Sequence, residues 1–295
     1  DSALLAVERL WSEDCPVVVV KAPFGSSGRA MIRLRRDVEG DQREPNSRQR
    51  RWLERTIESQ GAVLVEPWRQ GVLNLSMQFH LLPDGSLHVE AMTRFLTDAQ
   101  GRYRGTVIAS PSAGLAGDEV RFLHGQGRSP NRIEEVLVTV VETLHPQLQE
   151  AGLVGPAGLD ALVYRDRQGL RLKPMLEINP RTTMGHIALA LSPRIAGGHC
   201  GLLLLLGARD LADSGCLSLA ELVTRLGREF ESKLQREPHV SLRSGAMALT
   251  DPERATMSVA VLLVAKNPSQ IAAALTRAGV TAGLEQLCSP AEPRR

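Results

Sequence analysis

The stretch Met175-Leu176-Glu177-Ile178-Asn179-Pro180-Arg181 places a carboxylate, an amide and a guanidinium at alternate positions at the end of an apolar run. If it is extended, the side chains of Glu177 and Asn179 point to the same face, because strand side chains alternate with a period of two. Arg181 continues that spacing, although Pro180 must end the strand or lie at its edge. Two oxygen ligands beside a cation suit a hard metal ion near a phosphate or carboxylate. A strand end with solvated polar residues is the alternative interpretation.

Length, charge and cysteine content exclude several classes of protein. The 295 residues predict two domains, or one large domain with an appendage. Lys and Arg number 35 against 33 acidic residues, so charge gives no argument for nucleic acid or an anionic membrane as a partner. No apolar run reaches the roughly 20 residues that span a bilayer. The four cysteines are scattered, which favours a reducing, cytoplasmic location.

Periodicity and turn signals predict helices and strands along the whole chain. The predicted strands cover residues 16–21, 32–34, 62–66, 73–82, 87–93, 158–164, 170–178, 247–249 and 257–265. The predicted helices cover residues 2–11, 48–59, 133–144, 217–234 and 268–278, with another that starts at Ile187 or Pro193 and runs through Leu206. Pro146 is expected to end or kink the helix before it. Residues 97–130 show little periodicity and predict loops.

The first candidate for chemistry is the β-branched run that ends at Lys21 and enters the loop Ala22–Met31. Small residues in this loop, among them Gly25, Ser26, Ser27 and Gly28, let backbone N–H groups approach an anion closely. The ammonium of Lys21 adds positive charge. The pattern therefore indicates a phosphate site, with an ordinary strand end as the alternative.

Two further groups of residues carry candidate chemistry. The apolar strand Val63-Leu64-Val65-Glu66 is followed by Pro67 and Trp68, so it can present a carboxylate and backbone groups to a base, or it is an exposed strand end. The hairpin around Arg167 brings Asp160 close to Glu177, so that three oxygen ligands can converge with Asn179. A site with few protein ligands, and with room for water and phosphate oxygens, fits Mg²⁺.

The arginines and histidines are less specific signals. Arg94 and Arg104 lie in or after a predicted strand and can reach a phosphoryl group, although most arginines in such segments are merely solvated. The seven histidines show no metal-binding spacing. His186 is interpreted as a local hydrogen-bonding residue rather than as a zinc ligand.

The order of these elements resembles the ATP-grasp superfamily, with the biotin carboxylase, carbamoyl-phosphate synthetase and amino-acid ligase branches most similar. The resemblance covers about residues 12–200. It implies an α+β fold of two lobes with antiparallel sheets flanked by helices. The ATP-grasp domain would cover residues 1–205, with a small lobe at about 12–64 and a larger lobe at about 65–205. Residues 206–295 would form a small α+β appendage. An N-terminal domain preceding the ATP-grasp domain would lie upstream of where this chain starts.

The resemblance also implies a role for each matched residue. Lys21 would contact the ATP phosphates, and the loop from Gly25 through Ser26 and Ser27 to Gly28 would close over them. Glu66 and the backbone at Pro67, Trp68 and Arg69 would border the adenine, which Leu162 and Leu176 would sandwich. The metal ligands for one or two Mg²⁺ ions would be Asp160, Glu177 and Asn179. Arg181, Arg94 and Arg104 would be the catalytic cations.

The activity implied by the resemblance is that of an ATP-dependent carboxylate–amine ligase, which forms an amide or peptide bond through an acyl phosphate. ATP and Mg²⁺ would be required, and the partners would be a small carboxylate and an amine, with an upstream domain or a second copy as further possibilities. A biotin- or bicarbonate-dependent carboxylase and a nucleotide-binding module without ligase activity are the alternatives.

Overall fold

The computed structural model describes residues 2–13, 15–25, 30–36, 45–125, 132–236, 239–281 and 283–288. Ser26, Ser27 and Gly28 of the predicted phosphate loop lie outside the described residues. Two compact units divide the chain. Unit 1 comprises Asp1–Gln70 with Gln100–Arg102, and unit 2 comprises Gly71–Ala99 with Tyr103–Arg295.

Unit 1 is a three-stranded antiparallel sheet with two helices. Its elements are α1 (Ser2–Ser12), β1 (Val17–Lys21), β2 (Met31–Arg35), α2 (Ser47–Gln60) and β3 (Leu64–Pro67). The β-branched run of β1 forms the central strand in the order β2-β1-β3, and its three middle residues are buried. Val18 and Val20 pack with Trp11 and Leu53 in the core of this unit. A capping box between Asn46 and Gln49 begins α2.

Unit 2 is built on a nine-stranded sheet in the order β10-β11-β12-β9-β6-β5-β4-β7-β8. These strands are β4 (Gly71–Leu81), β5 (Leu87–Thr97), β6 (Tyr103–Ile108), β7 (Gly155–Asp166), β8 (Gly169–Asn179), β9 (Cys200–Gly207), β10 (Lys233–Gln235), β11 (Ser241–Ala248) and β12 (Ser258–Ala265). Neighbouring strands in this order pair antiparallel. The long hairpin of β7 and β8 therefore lies at one end of the sheet.

The described part of unit 2 contains the helices α3 (Gly117–Leu123), α4 (Ile133–Glu150), α5 (Met184–Leu191), α6 (Ala208–Ser214), α7 (Leu219–Glu229) and α8 (Pro268–Arg277). The apolar side chains of β4 and β7, such as Leu75, Met77 and Leu159, pack with Leu137 and Val141 of α4. The alternate residues of β4 are polar and face away from that core. No helix in the described ranges is long and apolar enough to span a membrane.

Several predicted elements differ from the structure. Residues 97–130 contain β6 and α3 rather than loops alone. The leucine tract predicted as helix is the strand β9, and the helix before it is α5. Leu203 and Leu204 are both fully buried, on opposite faces, so the apolar run carries no periodicity that separates a buried strand from a helix. Helix α4 continues past Pro146 to Glu150, because the burial of Leu148 favours the last turn despite the missing N–H group.

The C-terminal segment is part of unit 2. The predicted boundary between residues 205 and 206 falls inside β9, and β12 pairs with β9 along eight residues, from Ser258 opposite Gly207 to Ala265 opposite Cys200. The strands that were predicted to belong to an α+β appendage therefore continue the large sheet, and helices α7 and α8 share a core with β9 and β12.

Candidate active site

The hairpin of β7 and β8 brings together the three predicted metal ligands. Asp160 lies directly opposite Glu177, and Gly158 lies opposite Asn179, so the side chains of these pairs share one face of the sheet. The Asn179 amide nitrogen donates to Asp160 Oδ2 and to Glu177 Oε1, each at 3.2 Å. Two carboxylates thus lie close together beside one amide, and carboxylate oxygens are the ligands that hard divalent cations prefer.

The electrostatics of this cluster favour a cation. The pKa of Asp160 is raised to about 7, chiefly by burial and also by the negative charge of Glu177, while a hydrogen bond with Ser76 and the charge of Arg181 act in the opposite direction. At this carboxyl group, burial and the neighbouring carboxylate outweigh the positive charge of Arg181. An Mg²⁺ ion would add positive charge, and the donor set of two carboxylates and an amide oxygen fits it. For Asn179 to offer its oxygen, the amide has to turn over.

Without metal, Asp160→Asn is expected to stabilise the protein at pH 8 and to change little at pH 4. The folded pKa of Asp160 lies above the unfolded value, so its ionisation costs stability as the pH rises from about 4 to about 7, and the cost is then constant at higher pH. We expect a gain of about 1–2 kcal/mol at pH 8, because solvent partly screens this half-buried carboxylate. Urea unfolding in EDTA at both pH values measures the change in the free energy of unfolding. An equal change at pH 4 and pH 8 would contradict the raised pKa of Asp160.

Arg181 contacts the cluster of Asp160, Glu177 and Asn179. Its Nη2 donates to Asn179 Oδ1 at 3.1 Å, and the residue is exposed. The guanidinium is therefore beside the carboxylates and reachable by an anionic substrate. The structure agrees with the predicted spacing of Glu177, Asn179 and Arg181, since Pro180 directly follows the last residue of β8.

A buried polar network that the sequence interpretation missed supports this cluster. Gln78 donates from its amide nitrogen to the hydroxyls of Ser76 and Thr93 at 2.8 and 3.2 Å. Its oxygen accepts from the Thr183 hydroxyl at 2.6 Å. Thr183 caps α5, so the network fixes the start of this helix against β4 and β5. Polar residues alternating with apolar ones along β4 are the signal that could have found it.

In unit 1, Lys21 and Glu66 lie on neighbouring strands and form an ion pair of 2.8 Å between Nζ and Oε2. The two residues predicted to contact opposite ends of a nucleotide are thus close together. The described start of the phosphate loop is anchored to α2, because the Gln60 side chain accepts from the N–H of Phe24 at 2.9 Å and donates to its carbonyl at 3.0 Å. The Ala22 N–H donates to the Ala30 carbonyl and closes the base of the loop.

The remaining predicted adenine contacts fall in both units. The N–H of Trp68 donates to the Val17 carbonyl at 2.9 Å, and the Arg33 guanidinium stacks 3.6 Å from the centre of the Trp68 ring. Pro67 is the last residue of β3, with Arg69 two positions on. Leu162 is 7% exposed and lies two residues after Asp160 on β7. Leu176 is half-buried on β8 next to Glu177.

Arg94 and Arg104 have structural partners in unit 2. Arg94 is 1% exposed and donates to the main-chain carbonyls of Ala113, Gln286 and Leu287, while burial lowers its pKa to about 10. Arg104 forms two hydrogen bonds to Asp210, at 3.0 and 2.5 Å. Neither guanidinium is available in this arrangement to a transferring phosphoryl group. The structure therefore does not support the predicted catalytic role of Arg94 and Arg104.

Comparison with known proteins shows the fold. No protein-family profile and no curated protein matches the sequence. Among solved structures, an N5-carboxyaminoimidazole ribonucleotide synthetase in complex with ADP matches 93% of this chain at 12% identity, with a TM-score of 0.50. The biotin carboxylase domain of the Hydrogenobacter thermophilus 2-oxoglutarate carboxylase, in complex with MgADP and bicarbonate, matches 92% at 14% identity, also with a TM-score of 0.50.

The chain therefore has the ATP-grasp fold, as the order of its motifs predicted. It spans 63% and 58% of the lengths of these two structures. The similarity covers the architecture, and the chemistry has to be argued from the residues of this chain.

Proposed function

We propose that this protein is an ATP-dependent ligase that joins a carboxylate to an amine and releases ADP and phosphate. The convergence of Asp160, Glu177 and Asn179 on one face of the β7–β8 hairpin is the observation that carries the proposal. Two structures of the same fold are complexes with ADP or MgADP, which supports a nucleotide as the ligand.

The proposal assigns unit 1 and unit 2 different tasks. In unit 1, Lys21 would leave its ion pair with Glu66 and bind the phosphates of ATP. Glu66 would then accept a hydrogen bond from the adenine amino group. Gly25, with Ser26, Ser27 and Gly28, would cover the phosphates. In unit 2, Asp160, Glu177 and Asn179 would hold one or two Mg²⁺ ions, and Leu162 and Leu176 would contact the adenine. Bound Mg²⁺ neutralises charge that develops on phosphate oxygens.

Arg181 would bind and align the substrate carboxylate. The exposed Arg181 would bind the substrate carboxylate through a planar, two-point contact and align it with the terminal phosphate. Attack by a carboxylate oxygen forms an acyl phosphate with ADP as the leaving group, and the amine then displaces phosphate. The network of Gln78 and Thr183 would keep Arg181 in place by fixing the start of α5.

A screen of ADP release tests this function. The full chain is incubated with MgATP and pairs from a panel of carboxylates and amines, and ADP is measured by a coupled assay. We expect release that depends on both members of at least one pair. Release with a carboxylate alone would indicate an acyl phosphate lost to water, and release with bicarbonate and biotin would favour the carboxylase alternative. Nucleotide binding without release from any pair would favour a binding module.

A further inference from the structure

A second cluster of ligand-type side chains lies in unit 2, apart from the carboxylates of the β7–β8 hairpin. It consists of His80 on β4, Glu90 on β5 and His186 on α5. The ligand atoms of these three residues all lie within 4.8 Å of one another. His80 Nε2 and Glu90 Oε1 are 2.5 Å apart, and the ring of His186 meets the ring of His80 edge-on, with 5.3 Å between centroids.

Local backbone structure places Glu90 in this cluster. The pairing of β4 with β5 shifts register after Gln78, which lies opposite Ala91, while Phe79 lies opposite Val89. Glu90 is thus the extra residue of a β-bulge and has no partner in the ladder. Bulges of this kind redirect a side chain, and they recur next to functional sites.

His186 provides the observation that points to a ligand. The residue is 9% exposed, and its Nε2 is buried and makes no hydrogen bond of good geometry, although the Phe79 carbonyl lies within reach of the ring. The other ring nitrogen is satisfied, because Nδ1 lies 3.0 Å from the Thr183 hydroxyl and 3.2 Å from the Thr183 N–H. The sequence interpretation of His186 as a hydrogen-bonding residue therefore accounts for one nitrogen only.

The two tautomers of His186 differ at Nε2, which is either an N–H donor or a nitrogen with a free lone pair. With the proton on Nε2, the Thr183 N–H donates to Nδ1, and a buried donor is left without a partner unless it turns to the nearby Phe79 carbonyl. With the proton on Nδ1, the ring donates to the Thr183 hydroxyl and loses the hydrogen bond from the Thr183 N–H, and Nε2 offers a lone pair to a ligand. Metal-binding histidines use this second arrangement, in which the distal N–H donates to an oxygen.

We propose that His80, Glu90 and His186 bind a divalent first-row transition metal ion, with Zn²⁺ as the best match. Two imidazoles and one carboxylate form a common zinc ligand set that leaves a fourth position for water. Ligand atoms around a tetrahedral Zn²⁺ lie about 3.4 Å apart, given bond lengths of about 2.1 Å. Small rotations of the partly exposed His80 and Glu90 side chains bring the three atoms to that spacing. This proposal does not depend on the ligase function.

Calorimetric titration of the full chain with ZnCl₂, in a reducing buffer with excess Mg²⁺, tests the site. We expect one Zn²⁺ per chain, with affinity weakened at least about tenfold in each of His80→Gln, Glu90→Gln and His186→Asn, because each removes a direct ligand. His186→Asn keeps an acceptor for the Thr183 N–H. His80→Gln and Glu90→Gln change partly exposed side chains, so they test the site even if His186→Asn unfolds.

Two control variants identify other sources of zinc binding. His124→Gln removes an exposed histidine outside the cluster and should leave the affinity unchanged. Glu177→Gln should also leave it unchanged, since excess Mg²⁺ competes for that site. The proposal would be overturned by an absence of saturable binding, by an affinity in all three ligand variants equal to that of the unmodified protein, or by loss of binding in Glu177→Gln.

Discussion

Glu177→Gln is expected to lower the rate of ADP release by about 100-fold or more while leaving the protein folded. The substitution removes a negative charge from the cluster with Asp160 and Asn179 and keeps the shape of the side chain. Because Glu177 is exposed at the end of β8, its replacement leaves no buried group unpaired. The measurement is the coupled ADP assay with a substrate pair found in the screen, together with the thermal unfolding midpoint.

Glu142→Gln is the matched control, because Glu142 is an exposed carboxylate on α4 outside the site. It should retain the rate of the unmodified protein. Turnover within about threefold of normal in Glu177→Gln, at saturating Mg²⁺, would show that this carboxylate does not hold a catalytic ion. An equal loss in both variants would trace the effect to general damage.

Arg104→Met is expected to destabilise unit 2 by about 3–5 kcal/mol, the range for breaking a buried ion pair from one side. Asp210 is 1% exposed, and both of its oxygens accept from the Arg104 guanidinium. Without that partner, a buried carboxylate remains without its countercharge. Urea unfolding at pH 7 measures the loss.

Two further variants separate the buried charge from other effects. Asp210 also accepts from the Gly207 N–H at the start of α6, so Arg104→Met with Asp210→Asn removes the charge while keeping that acceptor. This double variant should recover much of the lost stability. Arg165→Met breaks the exposed pair with Asp118 and should cost about 1 kcal/mol or less. If Arg104→Met left stability unchanged but abolished ADP release, the predicted catalytic role would replace the structural one.

The order of the motifs predicted the fold class through the resemblance that it carries, and local patterns predicted that Asp160, Glu177 and Asn179 lie close together. The alternation of Glu177 and Asn179 and the hairpin turn after Asp160 are properties of adjacent residues, and the pairing of β7 with β8 follows directly from them. The β-branched run of β1 likewise predicts a buried strand. Each of these features depends on side-chain alternation and short connections, which a single sequence displays.

Features that depend on distant contacts could not be predicted in the same way. The leucines of β9 became a strand because β6 and β12 pair on either side of it, more than 50 residues away in each direction. Arg94 looked available for phosphate, but the carbonyls that bind it belong to residues 113, 286 and 287. The cluster of His80, Glu90 and His186 has no regular spacing, since three separate elements contribute its members.

Thermal unfolding of the full chain with and without millimolar MgATP is the most direct test of the central claim, that this chain binds MgATP. A ligand that binds only the folded state at about 100 times its Kd stabilises by about 2.7 kcal/mol, so we predict a rise of several degrees in the unfolding midpoint. The rise should shrink when EDTA removes Mg²⁺ and in Glu177→Gln. An unfolding midpoint that does not change at millimolar MgATP would contradict the assignment of this protein as an ATP-dependent enzyme.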